Sequence, residues 1–246
     1  MQTYYLTDAG RVREHNEDSV IIVQNDSGEY LMAVADGMGG HQAGEIASSM
    51  TIDYLSKAFL KMEKIGSKAN AVNWLRESVE IINNNIFSYT DKVTESKGMG
   101  TTLVVAILTK EYLLFGNIGD SSGFVMKENI LYKVTKDHTL VNLLVSTGEL
   151  TEEEAKLHPK KNVLMRALGA NNPIEIDIFD VDVNVDAILL CSDGLTNMLS
   201  GEQIQKVLEL ETLTIEEKVI RLIKKSNNRG GTDNISIAYL VKESGE

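Results

Sequence analysis

The chain has 246 residues, 43% of them hydrophobic, which suffices for one buried core within the size range of single sandwich domains. A formal net charge of −12, with Lys and Arg scattered along the chain, excludes nucleic acid as the main partner. Only Pro159 and Pro173 occur, no linker or repeat stands out and no apolar run approaches the roughly 18 residues of a membrane span, so residues 1–246 are expected as one cytoplasmic, monomeric domain without a membrane partner.

Residues 2–7, 19–24 and 30–35 are rich in β-branched and aromatic side chains, and Asn25-Asp26-Ser27-Gly28 supplies a turn, which predicts a short meander. Residues 43–61 and 70–89 carry apolar positions at helical spacing, such as Val72, Leu75, Val79, Ile82 and Ile86, and predict two long helices. Strands resume at 101–109, 112–118, 123–126 and 130–135, close enough in sequence to pair as hairpins. A less regular region over 139–168 holds two short helical patterns, at 139–146 and 151–157. Strands at 174–183 and 187–192, helices at 201–210 and 214–226 and a last strand at 235–241 complete the chain. Strand groups separated by helix pairs imply an α+β fold, two packed antiparallel sheets covered by helices on both outer faces.

Aspartates fall where buried strands leave the core. Leu31–Ala35 runs into Asp36-Gly37, Ala187–Ser192 into Asp193-Gly194 and Phe115–Gly119 into Asp120, while Asp233 directly precedes the strand at 235–241. Turn chemistry accounts for any one of them, since Asp-Gly is a favoured turn pair. Four converging carboxylates would repel one another unless cations sat between them, and hard oxygen donors select Mg²⁺, Mn²⁺ or Ca²⁺ over Zn²⁺. The histidines at 15, 41, 138 and 158 show no zinc-type spacing. Paired divalent ions activate water and clamp a phosphoryl oxygen, so hydrolysis proceeds by in-line attack without a protein nucleophile. Cys191, the single cysteine, has Asn197 where a cysteine phosphatase would need Arg; it reads as a buried strand residue and fits a reducing compartment. Arg13, amid acids, suits a phosphate clamp or an ordinary surface ion pair. The glycines of Gly37-Met38-Gly39-Gly40-His41 read as close backbone approach to a metal, and those of Gly98-Met99-Gly100-Thr101-Thr102 as close packing.

These residues resemble the PP2C-like (PPM) metal-dependent phosphatases, and most closely their compact bacterial members. Segments in the family's order include Asp8-Ala9-Gly10 through Arg13 to Asn16-Glu17-Asp18, Val34-Ala35-Asp36-Gly37-Met38-Gly39-Gly40-His41 and Gly98-Met99-Gly100-Thr101-Thr102. Asn117-Ile118-Gly119-Asp120-Ser121, Lys136-Asp137-His138-Thr139, Arg166-Ala167-Leu168-Gly169, Leu190-Cys191-Ser192-Asp193-Gly194-Leu195 and Gly230-Gly231-Thr232-Asp233-Asn234-Ile235-Ser236 follow. The resemblance implies a four-layer α-β-β-α sandwich with a flap near the active site, about residues 142–165, that influences substrate choice. It implies Asp36 as the carboxylate bridging two Mn²⁺ or Mg²⁺ ions, Asp193 and Asp233 completing one site and the Gly37 carbonyl the other. Asp18 would act through bound water with Glu17 beside it, Asp120 and Asp193 would form a third, weaker site, and Arg13 would hold phosphate. The implied activity is hydrolysis of phosphoserine and phosphothreonine in proteins, opposing a cognate Ser/Thr kinase.

Two positions depart from the family. Met38 stands where many eukaryotic relatives carry a proposed general acid, leaving His41 or a water at the metals to protonate the leaving oxygen. Ser122 stands where Arg often follows Gly-Asp-Ser, which removes one structural contact near Asp120. A non-catalytic relative would lack a bridging acid, and Asp36, Asp193 and Asp233 are all present; a hydrolase of small phosphoesters remains a third reading.

Overall fold

Alternation of side chains along the strands decides the layering. In the strand Tyr30–Met38, Leu31, Ala33 and Ala35 join one hydrophobic cluster while Met32 and Val34 join another, as a strand buried on both faces requires. The structure, a computed structural model, describes residues 1–39 and 43–242. One sheet runs β2 (Asp18–Gln24), β3 (Tyr30–Met38), β5 (Leu103–Leu108), β6 (Leu113–Ile118) and β9 (Asp177–Val181), with the two-residue β4 (Gly100–Thr101) paired to β3. The other runs β1 (Gln2–Asp8), β11 (Ile235–Val241), β10 (Ala187–Cys191), β7 (Ser122–Lys127) and β8 (Ile130–Lys133), and every pairing in both sheets is antiparallel.

Helices α1 (Ala43–Leu60) and α2 (Lys68–Lys92) cover the first sheet through Ala47, Leu55, Phe59, Leu75 and Ile82. Helices α6 (Gly201–Leu208) and α7 (Ile215–Asn228) cover the second through Ile204, Val207, Val219 and Leu222. Between the sheets lie Met32, Val34, Val104, Phe115, Ile188, Leu190 and Ala238. Each of these Met, Val, Phe, Ile and Leu side chains contributes about 1.5–3 kcal/mol when fully buried, which holds the layers together. The four-layer α-β-β-α sandwich is the one expected. Among the described residues no helix is long and apolar enough to cross a membrane.

Some boundaries differ from the sequence reading. The strand expected over 101–109 is split at Thr102 into β4 and β5, both paired to β3; at the break the Asp36 amide donates to the Thr102 hydroxyl while the Thr102 amide donates to the Asp36 carbonyl. The strand expected over 174–183 contracts to Asp177–Val181. The helix expected from residue 70 begins at Lys68, because the Ser67 side chain accepts the Asn70 amide and caps it. A short helix, α5 (Asp193–Thr196), was not apparent in the sequence. Residues 139–168 hold α3 (Leu140–Ser146) and α4 (Glu152–Leu157), and this region is tied back by the bridges Thr139↔Leu164 and Thr101↔Leu168.

Candidate active site

Strand alternation carries the acids to one end of the layer between the sheets. Met32 and Val34 face that layer, so Asp36, two residues on, faces its mouth; Val20 and Ile22 face it from β2, and so does Asp18. Asp18 and Asp36 are direct partners in the β2–β3 ladder. Across the gap, Ser192 at the end of β10 donates its hydroxyl to Asp18 Oδ2 at 2.7 Å. The next residue, Asp193, opens α5 and accepts the Asn197 amide group on Oδ2 at 2.9 Å. Asp36, Gly37, Asp120, Asp193, Asp233, Arg13 and Glu17 all line one cavity of about 490 Å³.

The backbone of Asp36 is pinned. Its amide donates to Thr102 Oγ1 at 3.0 Å, and its carbonyl accepts the Thr102 amide and the Thr101 hydroxyl, both at 2.9 Å. The segment around Gly100 therefore does more than pack closely: its threonines fix the central acid. The two Asp-Gly pairs are not turn residues. A Cβ on Gly37 would strike the carbonyls of Gly44 and Glu17, and one on Gly194 the carbonyl of Asn234, so both glycines exist for close packing of backbone on backbone. That replaces the turn reading for both pairs.

Crowding sets the electrostatics. Burial, then Asp18, Asp193, Asp120 and Asp233, push the Asp36 carboxyl well above the usual carboxylate range. Burial raises Asp18 to about 7 against hydrogen bonds from Ser192 and Ser236, with Asp193 and Asp233 adding to the rise. Burial and Asp193 raise Asp120 to about 7, and burial and Asp233 raise Asp193 to about 6. Burial likewise raises Glu17, with Arg13 opposing. Glu17 Oε1, Asp18 Oδ1 and Asp193 Oδ1 are buried without a hydrogen-bond partner. Among the described residues no three His, Cys, Asp or Glu side chains close on a single point as a finished metal cage; the acids ring the cavity instead. Oxygen-only donors with unsatisfied buried atoms are the chemistry that hard divalent cations take.

Arg13 Nη2 donates to Asp233 Oδ2 at 2.8 Å, with side-chain exposures of 49% and 29%. Burial works against the guanidinium charge, but Asp233, Glu17 and Asp36 outweigh it and hold the Arg13 pKa above its usual value. Arg13 forms an ion pair and also lines the acid cavity. Its loop is fastened by Asn234, whose Nδ2 donates to the Ala9 and His15 carbonyls and whose Oδ1 accepts the Glu17 amide, all at 2.9 Å. His41 lies outside the described residues. Met38 is half-buried against Gly100 and lines the cavity. The Ser122 hydroxyl is buried without a partner on β7.

Three further residues belong to the site although their roles were not apparent in the sequence. His138 accepts the Gly119 amide on Nδ1 at 3.1 Å, and its Nε2 lies 3.1 Å from Asp177 Oδ2, so these partners place the ring proton on Nε2. Arg166 Nη1 donates to Asp177 Oδ1 at 2.6 Å and lines the acid cavity. Burial works to raise the Asp177 carboxyl, but His138 and Arg166 hold it below the usual range. Together with Asn117, whose Nδ2 donates to the Gly119 carbonyl at 3.1 Å, this network fixes the turn that presents Asp120. The signal for it lay in the segments Lys136–Thr139 and Arg166–Gly169.

Known proteins resemble this chain in sequence and fold. The family model described as "Protein phosphatase 2C" matches residues 9–229. The serine/threonine phosphatase stp of Listeria monocytogenes is 39% identical over 244 residues, covering 99% of this chain and 96% of that one. The protein phosphatase PhpP of Streptococcus pneumoniae is 36% identical over 241 residues, covering 98% and 97%. The solved serine/threonine phosphatase of S. agalactiae superposes with a TM-score of 0.92 at 37% identity, covering 98% of this chain and 99% of that one. With the model matching most of its length, this chain belongs to the protein phosphatase 2C family, the metal-dependent serine/threonine phosphatases, and to their compact bacterial type.

Proposed function

We propose that this chain releases phosphate from phosphoserine and phosphothreonine in proteins, with Asp36, Gly37, Asp120, Asp193 and Asp233 holding Mn²⁺ or Mg²⁺ and Arg13 holding the phosphate. One observation carries the assignment: buried carboxylates crowd at one cavity with their pKa values raised by burial and by one another, and with unpartnered oxygens on Asp18, Glu17 and Asp193. Asp36, Asp193, Asp233 and the Gly37 carbonyl would hold two ions, and Asp120 with Asp193 a third. When bound, the ions supply the positive charge that activates water and neutralises phosphoryl oxygens.

The other groups position the substrate. Arg13 presents its guanidinium fork to two phosphate oxygens while Asp233 keeps that fork aimed into the cavity. Asp18 and Glu17 stand behind the ligands as hydrogen-bond acceptors for ordered water. His41, or a water at the metals, would protonate the leaving serine or threonine oxygen. No protein nucleophile takes part: Cys191 is buried in β10 with its thiol pushed up to about 12 by burial, so it stays protonated. Residues 1–246 would form one monomeric domain, with 142–165 as a flap, reversing a Ser/Thr kinase in the cytoplasm. The lone buried cysteine supports a reducing compartment.

The test is phosphate release from a phosphothreonine peptide with Mn²⁺, with Mg²⁺ and with excess chelator, alongside Asp36→Asn. Release that needs both metal and Asp36 supports the assignment. Equal release in chelator, or by the variant, would overturn it.

A further inference from the structure

Beside the acid cavity opens a second, larger one of about 1000 Å³, and the two share Asp120, Asp193, Asn162, Met165 and Arg166. Its walls come from α3 and α4, the segment after α4, the stretch around Lys136 and the Asn197 side of α5. These walls carry five acids and five Lys or Arg side chains, but the charges are not all paired with one another. Asp137 is taken by Lys133 at 2.6 Å and Asp177 by Arg166 at 2.6 Å, while Asp120 and Asp193 belong to the phosphate site. What remains is Glu152 against Lys136, Lys156 and Lys161, three exposed lysines in no ion pair among the described residues. On a chain of net charge −12, these lysines without ion-pair partners lie directly against the site proposed to take phosphate. Leu143 and Met165 add apolar surface, at 47% and 46% exposure.

We propose that this cleft receives the stretch of polypeptide next to the phosphorylated residue and selects glutamate or aspartate side chains on it through Lys136, Lys156 and Lys161. This rests on the phosphatase reading and names a substrate class for it: phosphoproteins with an acidic flank. Overall negative charge repels such a substrate at long range, so local attraction at the cleft sets which acidic sequences are accepted and in which register. Three exposed charge pairs of ordinary strength correspond to about tenfold in affinity.

The experiment measures binding, so that it does not depend on turnover. Fluorescent peptides carrying a hydrolysis-resistant phosphonate analogue of phosphothreonine, with four glutamates or four glutamines on the N-terminal or the C-terminal side, are titrated by anisotropy in Mn²⁺. One of the two glutamate peptides is expected to bind about tenfold tighter than its glutamine counterpart. The preference is expected to fade as salt rises from roughly 0.05 to 0.5 M, and to collapse toward unity in Lys136→Gln/Lys156→Gln/Lys161→Gln. Equal binding of all peptides by the wild-type protein, or a preference that survives both salt and the triple substitution, would overturn the proposal. Hydrolysis of p-nitrophenyl phosphate by the wild-type protein reports separately on the catalytic reading: no hydrolysis with selective binding intact sinks the phosphatase assignment and leaves the acidic cleft standing.

Discussion

Asp18 and Asp36 face each other on one rung of the β2–β3 ladder, both aimed into the space between the sheets. Like charges directly opposite on a ladder are destabilising, and Asp18 is only 6% exposed. A fold that keeps this pair, and adds Asp120, Asp193 and Asp233 around it, carries a local instability that bound cations would relieve.

In chelator, the protein is therefore expected to be more stable at pH 5 than at pH 8. Asp18, Asp120 and Asp193 have folded-state pKa values of about 7, 7 and 6, raised chiefly by burial. Between about 4, where free carboxyls titrate, and these values, the folded state binds more protons than the unfolded one. Stability is then fully present below pH 4 for these groups and declines as pH rises through 6 to 7. Melting temperatures across this range, with and without Mn²⁺, check the sign; a chelated protein that gains stability on going from pH 5 to pH 8 contradicts it.

Asp36→Asn separates activity from stability. It removes the acid with the most acidic neighbours around it, so phosphate release should fall by at least about 10²-fold while the chelated variant melts higher than the chelated wild type at pH 8. Lower melting together with lost activity would instead mark Asp36 as a structural acid.

Asn234→Ala should loosen the loop that carries Arg13. It deletes bonds to the Ala9 and His15 carbonyls and strands the Glu17 amide, at a cost of about 2–3 kcal/mol in urea unfolding. KM should rise with the loss of stability, because Arg13 and Glu17 sit at the end of the freed segment. An unfolding midpoint within error of wild type would show that Asn234 does not hold this loop.

Arg13→Lys keeps the charge and loses the fork. A rise in KM of about tenfold with the metal dependence unchanged is expected, since an ammonium cannot span two phosphate oxygens. If kcat/KM is untouched, the Arg13–Asp233 contact is an ion pair of the surface and no more.

The layered fold and the central acids were legible because their signals are local. The unbroken apolar runs Leu31–Ala35 and Ala187–Cys191 marked strands buried on both faces, and the helical spacing of Leu75, Val79, Ile82 and Ile86 marked a helix over the sheet. The partners of those acids were not legible. His138, Asp177, Arg166 and Asn234 look like ordinary polar residues until the fold brings positions up to 225 apart in sequence into contact. Nor could spacing show that Gly37 and Gly194 serve backbone packing, because the carbonyls they make room for come from Gly44, Glu17 and Asn234.

By itself the sequence determined the order of elements, the faces they bury and the ends at which Asp36, Asp120, Asp193 and Asp233 leave their strands, since a period of two or 3.6 residues is written within each segment. Only the tertiary structure decided that Asp18 and Asp36 share a rung, that Ser192 reaches across the gap to Asp18 and that unpaired lysines gather beside the site. Those relationships depend on strand register and on sheet-to-sheet packing, which arise between distant segments and have no signature within any one of them.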